Sequence, residues 1–213
     1  TGESIDVVAP GLEVLAAWPG EEYTSFTGTS AAAPLVAGAL GAALTETESG
    51  QLLPLQALSI LENNLNASGA PGPDTLYGGG TLDVDRMVNA YTGGRFDLAV
   101  ASNWYEAPGP EEVVGTLQVT IQNQGTEPIS GATVDVIVND DIFTMTLPLL
   151  RQGGAHVVSL PVNEPAEDQQ IAIRSSINMN GNQDQDPANN VLLGNIGVIS
   201  DPLEASNQPT ESN

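Results

Sequence analysis

The sequence predicts an α/β segment followed by an all-β sandwich of immunoglobulin-like type. Three observations carry this: residues 31–44 are a small-residue apolar run of helical length, the hydrophobic period changes from helical to alternating at Phe96, and short alternating runs separated by turn residues then recur as far as Ile199. The expected boundaries are residues 1–94 for the first part, 95–200 for the sandwich, and a polar stretch at 201–213 expected to be a disordered tail or a linker.

In the first part, Ile5–Val8 is a short apolar run ended by Ala9-Pro10-Gly11. Val14–Ala17 is a candidate second strand before the Trp18-Pro19-Gly20 turn. Residues 31–44 are apolar or small all round, the pattern of a helix buried on every side, and Gly38 and Gly41 call for close packing against other backbone. Such packing implies neighbours that the first part largely lacks. Pro34 is expected in that helix's opening turn, where no internal hydrogen bond is sacrificed. Pro54 opens a second helix with Leu55, Leu58 and Leu61 on one face, ended by Asn63 and Asn64. A loop rich in Gly and Pro follows, after which Asp83 caps a helix through Tyr91, with Gly93 and Gly94 beyond its end.

In the second part Leu117, Val119 and Ile121 share one strand face, and Val134, Val136 and Val138 share another, with the loop at 123–131 between them. The remaining candidates are residues 97–101, 142–147, 155–160, 170–177 and 191–199. Seven short strands with turn signals between them fit an immunoglobulin-like sandwich.

The Gly28-Thr29-Ser30-Ala31 tetrad at the mouth of the small-residue helix is where the chemistry concentrates. A serine at a tight turn exposes its oxygen while the amides of the following helix point toward any negative charge developing beside it. The same residues also read as an ordinary capped helix, with Thr29 or Ser30 satisfying an orphan amide.

The surrounding window separates these readings. Asp6, Ala9, Pro10 and Gly11, then Gly28, Thr29, Ser30, Ala32 and Pro34, then Val36, Ala37 and Gly38, then Gly78, Gly80, Asp83 and Val84 stand in four ordered blocks. Together they resemble the C-terminal third of a subtilisin-like serine protease catalytic domain, the subtilase family, with an incomplete parallel sheet. Ala33 and Leu35 depart from the pattern, since family members often carry Ser and His there. The resemblance implies that Ser30 is the nucleophile, with its own backbone N–H in the oxyanion hole, and that Gly28, Thr29, Ala32 and Pro34 support the motif. It also implies a protein or peptide substrate and a secreted endopeptidase, extracellular or at the cell surface.

A subtilase further needs an Asp and a His before the Ser, and an Asn for the oxyanion. The 29 residues before Ser30 contain no His and no Asn, and Asp6 belongs to the strand pattern. The sole histidine, His156, lies in an alternating run of the second part, where a partly exposed strand position is the ordinary reading. The expectation is therefore a piece of an enzyme whose upstream catalytic part is missing, inactive by itself.

The second part resembles the CARDB type of bacterial sandwich module, through Asp97-Leu98, Asn123-x-Gly125 and Asp186-x-x-Asn189-Asn190. An alternative function accordingly stands beside the enzyme: a surface-attachment or binding protein in which the protease remnant is a non-catalytic scaffold.

Composition limits the partners. Four Arg and no Lys face 27 acidic residues, a net charge of −23 spread over both parts, so nucleic acid and anionic membranes are repelled. Such a surface suits a salty exterior, where screening is short-ranged. With no Cys, disulfides and thiol chemistry are excluded, and no apolar run is long enough to span a bilayer. No cofactor is required. Calcium is a weak candidate at Asn182, Asp184, Asp186 and Asn189, where a plain polar turn is the competing reading. Asn139-Asp140-Asp141 reads as a solvated hairpin, and Trp18, Trp104 and Tyr105 as core or domain-interface residues.

Overall fold

A computed structural model describes residues 2–45, 53–166, 169–181 and 183–197. The first part holds a hairpin, β1 (Val14–Trp18) and β2 (Glu22–Phe26), then α1 (Thr29–Thr45), α2 (Pro54–Asn63) and α3 (Val84–Val88). The hairpin is antiparallel, with Trp18 opposite Glu22. β2 escaped the sequence reading because Glu22-Tyr23-Thr24-Ser25 carries no alternating apolar signal.

The expected strand at Ile5–Val8 contracts to one parallel bridge between Val8 and Thr81, and Thr81 also bridges Asn66 antiparallel. The parallel sheet is thus represented, among the described residues, by a three-stranded knot one bridge wide. Its bonds run from Val8 N to Gly80 O (3.1 Å), Leu82 N to Val8 O (2.8 Å), and reciprocally between Asn66 and Thr81 (2.9 Å each).

α1 is not buried on every side. Ala31, Ala39 and Ala43 are buried, the last two against Ala57, Ile60, Leu61, Leu65, Met87 and Ala90, whereas Leu35, Gly38 and Gly41 are exposed. A methyl placed on Gly38 or Gly41 would meet nothing within 4 Å. The reason is that, of the described helices and strands, α2 and α3 are those that pack substantially on this helix, and they cover one side of it. α2 likewise turns Ala57, Ile60 and Leu61 inward and leaves Leu55 and Leu58 exposed, because the neighbouring core lies one residue around the helix from the expected leucine face. α3 stops at Val88 rather than Tyr91. Asp83 accepts from Arg86 N at its start, and the Asn89 amide donates to Asp85 O at its end, closing the turn early.

The second part is a β-sandwich of antiparallel strands: β3 (Leu98–Glu106), β4 (Val114–Asn123), β5 (Thr133–Val138), β6 (Asp141–Thr146), β7 (Ala155–Asn163), β8 (Ile171–Asn178) and β9 (Val191–Ile196). One sheet has the order β3-β4-β7 and the other β6-β5-β8-β9. All seven expected strands are present, within a few residues at their ends. Leu117, Val119 and Ile121 from one sheet meet Val134, Val136 and Ile173 from the other in a continuous buried core, as period-two alternation requires. The expected 201–213 tail and residues 198–200 lie outside the described residues.

The motifs of the second part close one end of the sandwich. Fully buried Asn123 donates to Glu127 O (2.8 Å) and Leu150 O (2.9 Å) and accepts from Gly125 N (3.0 Å), pinning the loop between β4 and β5. Asn189 Nδ2 reaches Asp97 Oδ1 (2.9 Å) and Gln124 Oε1 (3.3 Å), tying the loop before β9 to both other motifs. Replacing Asn123 by Ala removes three hydrogen bonds at one point: Glu127 O loses its partner, while Leu150 O keeps only Ile129 N and Gly125 N keeps only Asp97 O. We expect a loss of about 3 kcal/mol in urea unfolding, read from the sandwich's far-UV signal; a loss within 0.5 kcal/mol, the scatter of about 0.5 kcal/mol typical of surface substitutions, would contradict this account.

Candidate functional site

The tetrad is held by a glycine clasp. Gly28 adopts φ of 152°, a region that side chains avoid, and its N–H donates to Gly11 O at 2.7 Å. A side chain on Gly11 would meet Gly28 O at 2.9 Å, so the close approach requires glycine at 11, whereas at 28 the space is open and the backbone angle favours glycine. Ala32, half-buried, abuts Gly11 from the first turn of α1. Thr27 Oγ1 accepts from Glu13 N at 2.9 Å and secures the hairpin beside the clasp.

Thr29 and Ser30 lie inside α1 rather than before it, both exposed, and Ala31 N donates to Gly28 O at 2.9 Å. Among the described residues nothing hydrogen-bonds the Ser30 hydroxyl, so it is not spent as a cap. Because the helix begins two residues earlier than expected, Pro34 stands one turn inside it and withholds the N–H that would otherwise close on the Ser30 carbonyl. The site therefore offers an exposed hydroxyl on the opening turn of a 17-residue helix, near the positive end of its dipole. Among the described residues no side chain hydrogen-bonds Ser30 as a proton acceptor. His156 sits half-buried on β7, paired with Ile121 in the sandwich, and makes no recorded hydrogen bond to Ser30.

Next to this mount the surface is apolar. Leu15 is 71% exposed, Trp18 57% and Tyr23 73%, with Leu12, Phe26 and Leu35 nearby in sequence and also exposed. Trp18 thus departs from the expected core or domain-interface role, since the described residues leave more than half of it uncovered. Trp104 is half-buried in a cleft with Ser68, Tyr77 and Ser102 where the two parts meet, and Tyr105 packs on the sandwich core.

The closing Gly-rich turn is organised by Asp74, whose carboxylate accepts from Leu76 N and Tyr77 N (2.7 Å each) and from Ala70 N (3.0 Å). These amides, Tyr77's above all, hold its pKa below the usual carboxylate range. The seam with the sandwich is polar. Arg86 is buried and donates from Nη1 to Leu65 O (2.6 Å) and Asn66 Oδ1 (2.8 Å); burial lowers its pKa to about 10 against the pull of Asp83 and Asp97. Gln122 of β4 and Gln152 reach the first part as well, at Leu65 and Ala67 and at Ala90 respectively. Neither glutamine carries a sequence signature; their partners stand more than fifty residues away.

In the acidic loop the oxygens serve the main chain. Asp184 accepts from Leu98 N (3.3 Å) and Asp186 N (2.9 Å), and Asp186 from Ala188 N (3.2 Å). Among the described residues no three His, Cys, Asp or Glu side chains converge as metal ligands, and Asn182 lies outside them.

Residues 1–80 match the family model of the subtilase family, and residues 95–192 match the CARDB model. Subtilisin BL and subtilisin Savinase of Lederbergia lenta are each 37% identical over 84 residues, which are 39% of this chain and 29% of the relative. Subtilisin DY of Bacillus licheniformis is 34% identical over 85 residues, with the same coverage. The chain therefore spans under a third of the length of these relatives. Among solved structures, a CARDB domain from Pyrococcus furiosus in complex with di-metal ions is 19% identical, covering 50% of this chain and 96% of that one at a TM-score of 0.39. A domain of a putative cell surface protein from Methanosarcina acetivorans is also 19% identical, covering 50% and 95% at a TM-score of 0.40.

Asp97 gives this region a pH signature. Burial, together with the charges of Asp184 and Asp186, pushes its pKa up to about 6, against the Asn189 hydrogen bond and Arg86. A carboxyl whose folded pKa lies above its unfolded value binds a proton on folding, so its stabilisation is complete below about pH 4 and is lost as pH rises through 6. We expect Asp97→Asn to melt a few degrees above the wild type at pH 7.5 and to converge with it near pH 4. A pH-independent difference would contradict this.

Proposed function

We propose, from a chain that joins a subtilase-family segment at residues 1–80 to a CARDB segment at residues 95–192, that it is part of a secreted subtilisin-like serine endopeptidase. In the intact enzyme Ser30 Oγ attacks the scissile carbonyl. Its proton passes to a base contributed from outside these 213 residues, which returns it to the amine nitrogen as the C–N bond breaks; water then gives a proton to that base and attacks the acyl-enzyme, releasing the acid and restoring the Ser30 hydroxyl. The backbone N–H of Ser30 helps to hold the oxyanion. What carries this reading is the exposed, uncommitted Ser30 hydroxyl at the opening of α1, held by the Gly11–Gly28 clasp within the matched segment.

The same reading accounts for the exposed apolar surface of α1 and the hairpin, which the upstream part of the catalytic domain would cover. The immunoglobulin-like description of the sandwich is supported by its seven strands among the described residues, split three and four, with crossovers from β4 to β5, β6 to β7 and β7 to β8. An extracellular or cell-surface setting is supported by the lysine-free, strongly acidic composition.

On this reading Ser30, with no base beside it among the described residues, is an ordinary hydroxyl in the 213-residue chain. We expect a fluorophosphonate probe to leave it unlabelled and the chain to release no product from a peptide substrate. A longer protein carrying the upstream region should hydrolyse that substrate and lose at least about 10⁴-fold in kcat on Ser30→Ala. Rapid stoichiometric labelling of the 213-residue chain, or full activity of the longer Ser30→Ala variant, would overturn the proposal.

A further inference from the structure

Among the described residues, the 65–67 stretch next to the Ser30 mount meets the sandwich through the side chain of Gln122. Residues 65–67 are extended, and antiparallel geometry gives such a stretch two edges. Asn66 N–H and C=O both bond Thr81, so Leu65 C=O and Ala67 N–H face the other way. There Gln122 meets them. Its Oε1 accepts from Ala67 N (3.0 Å) and its Nε2 donates to Leu65 O (3.0 Å), the two bonds that a neighbouring strand would make. A primary amide is suited to this because it carries donor and acceptor in one plane, and at 6% exposure Gln122 has little competition from water. Arg86 Nη1 braces the arrangement, 2.6 Å from Leu65 O and 3.4 Å from Gln122 Oε1.

We infer that Gln122 is a positioning residue for Ser30: its amide substitutes for a missing strand and so fixes the ladder on which the Gly11–Gly28 clasp is built. From Asn66 the backbone bonds pass to Thr81, from the Thr81 strand to Val8, and three residues later Gly11 O receives Gly28 N, two residues before Ser30. Other contacts across the seam do not enter this path. Gln152 Nε2 donates to Ala90 O (2.8 Å), Thr126 Oγ1 to Thr92 O (2.6 Å), and Glu127 Oε1 accepts from Gly94 N (2.6 Å), all beyond the ladder. The catalytic meaning of the inference rests on the reading of Ser30 as a nucleophile; the mechanical link does not.

Amide hydrogen exchange on the whole chain tests it. In Gln122→Met we expect Val8, Thr81 and Gly28 to exchange about tenfold faster or more, while β5 and β8 keep their protection. Gln122→Glu retains the acceptor for Ala67 and a partner for Arg86 but loses the donor to Leu65, and should accelerate the same amides by a smaller factor. Gln152→Met removes a seam bond off the path and should leave them within twofold of wild type. If Gln122→Met also loses protection in β5 and β8, the comparison is decided by Gln122→Glu. Unchanged exchange at Val8 and Gly28 in the Gln122 variants, or equal acceleration in Gln152→Met, would overturn the inference. Because no hydrolysis is read, an incorrect assignment of Ser30 would not alter the outcome, and an active enzyme with an unaltered exchange pattern would refute the link alone.

Discussion

An extended stretch of backbone must satisfy both of its edges, and for residues 65–67 one edge is filled from the same segment and the other from a different domain. On this constraint the first part depends. Its sheet is one bridge wide among the described residues, its hairpin touches little else, and α1 is covered along one side. The sandwich, by contrast, has a continuous buried core shared by its two sheets. The polar seam built around Gln122 and Arg86 lends that rigidity to the part that lacks it.

The composition of α1 suits a more enclosed position than the described residues give it. A run of Ala and Gly with Leu35 exposed gains little in water, and Gly38 and Gly41 cost helix stability with no close backbone in return. Those residues make sense when packed on all sides. The exposed Leu12, Leu15, Trp18 and Tyr23 tell the same story from the hairpin. Helix and hairpin flank Ser30, so the proposal that an upstream part covers them is also the proposal that supplies its base.

What the sequence discloses follows the range of the physics. Sandwich strands were legible because alternation is local and their cores are complete; Val134, Val136 and Val138 declare a buried face by themselves, although Val138 ends only partly buried. Gly11 and Gly28 were legible as motif residues around Ser30, but the bond between them required the folded chain. β2 was not legible, as its strand is polar and defined by its partner. Helix faces were misjudged where the expected neighbours are not among the described residues: a period of 3.6 identifies a helix but not what is packed against it. The Gln122 contact was invisible, because a glutamine in a strand looks the same whether it faces solvent or replaces a missing backbone, and Ala67 stands 55 residues away. Asp97, Asn123 and Asn189 lay between these extremes: their motifs were readable, but their role as a mutual lock required the folded chain.

The central claim is that the Ser30 mount and the sandwich are one cooperative unit. Its most direct measurement is a urea titration of the whole chain followed residue by residue by NMR, comparing Gly28 and Thr81 with Val119 and Val134. Coincident midpoints are predicted, as expected for groups that unfold together. Loss of the Gly28 and Thr81 signals at a midpoint about 1 M or more below that of the sandwich, on the scale set by typical urea m-values, would contradict it.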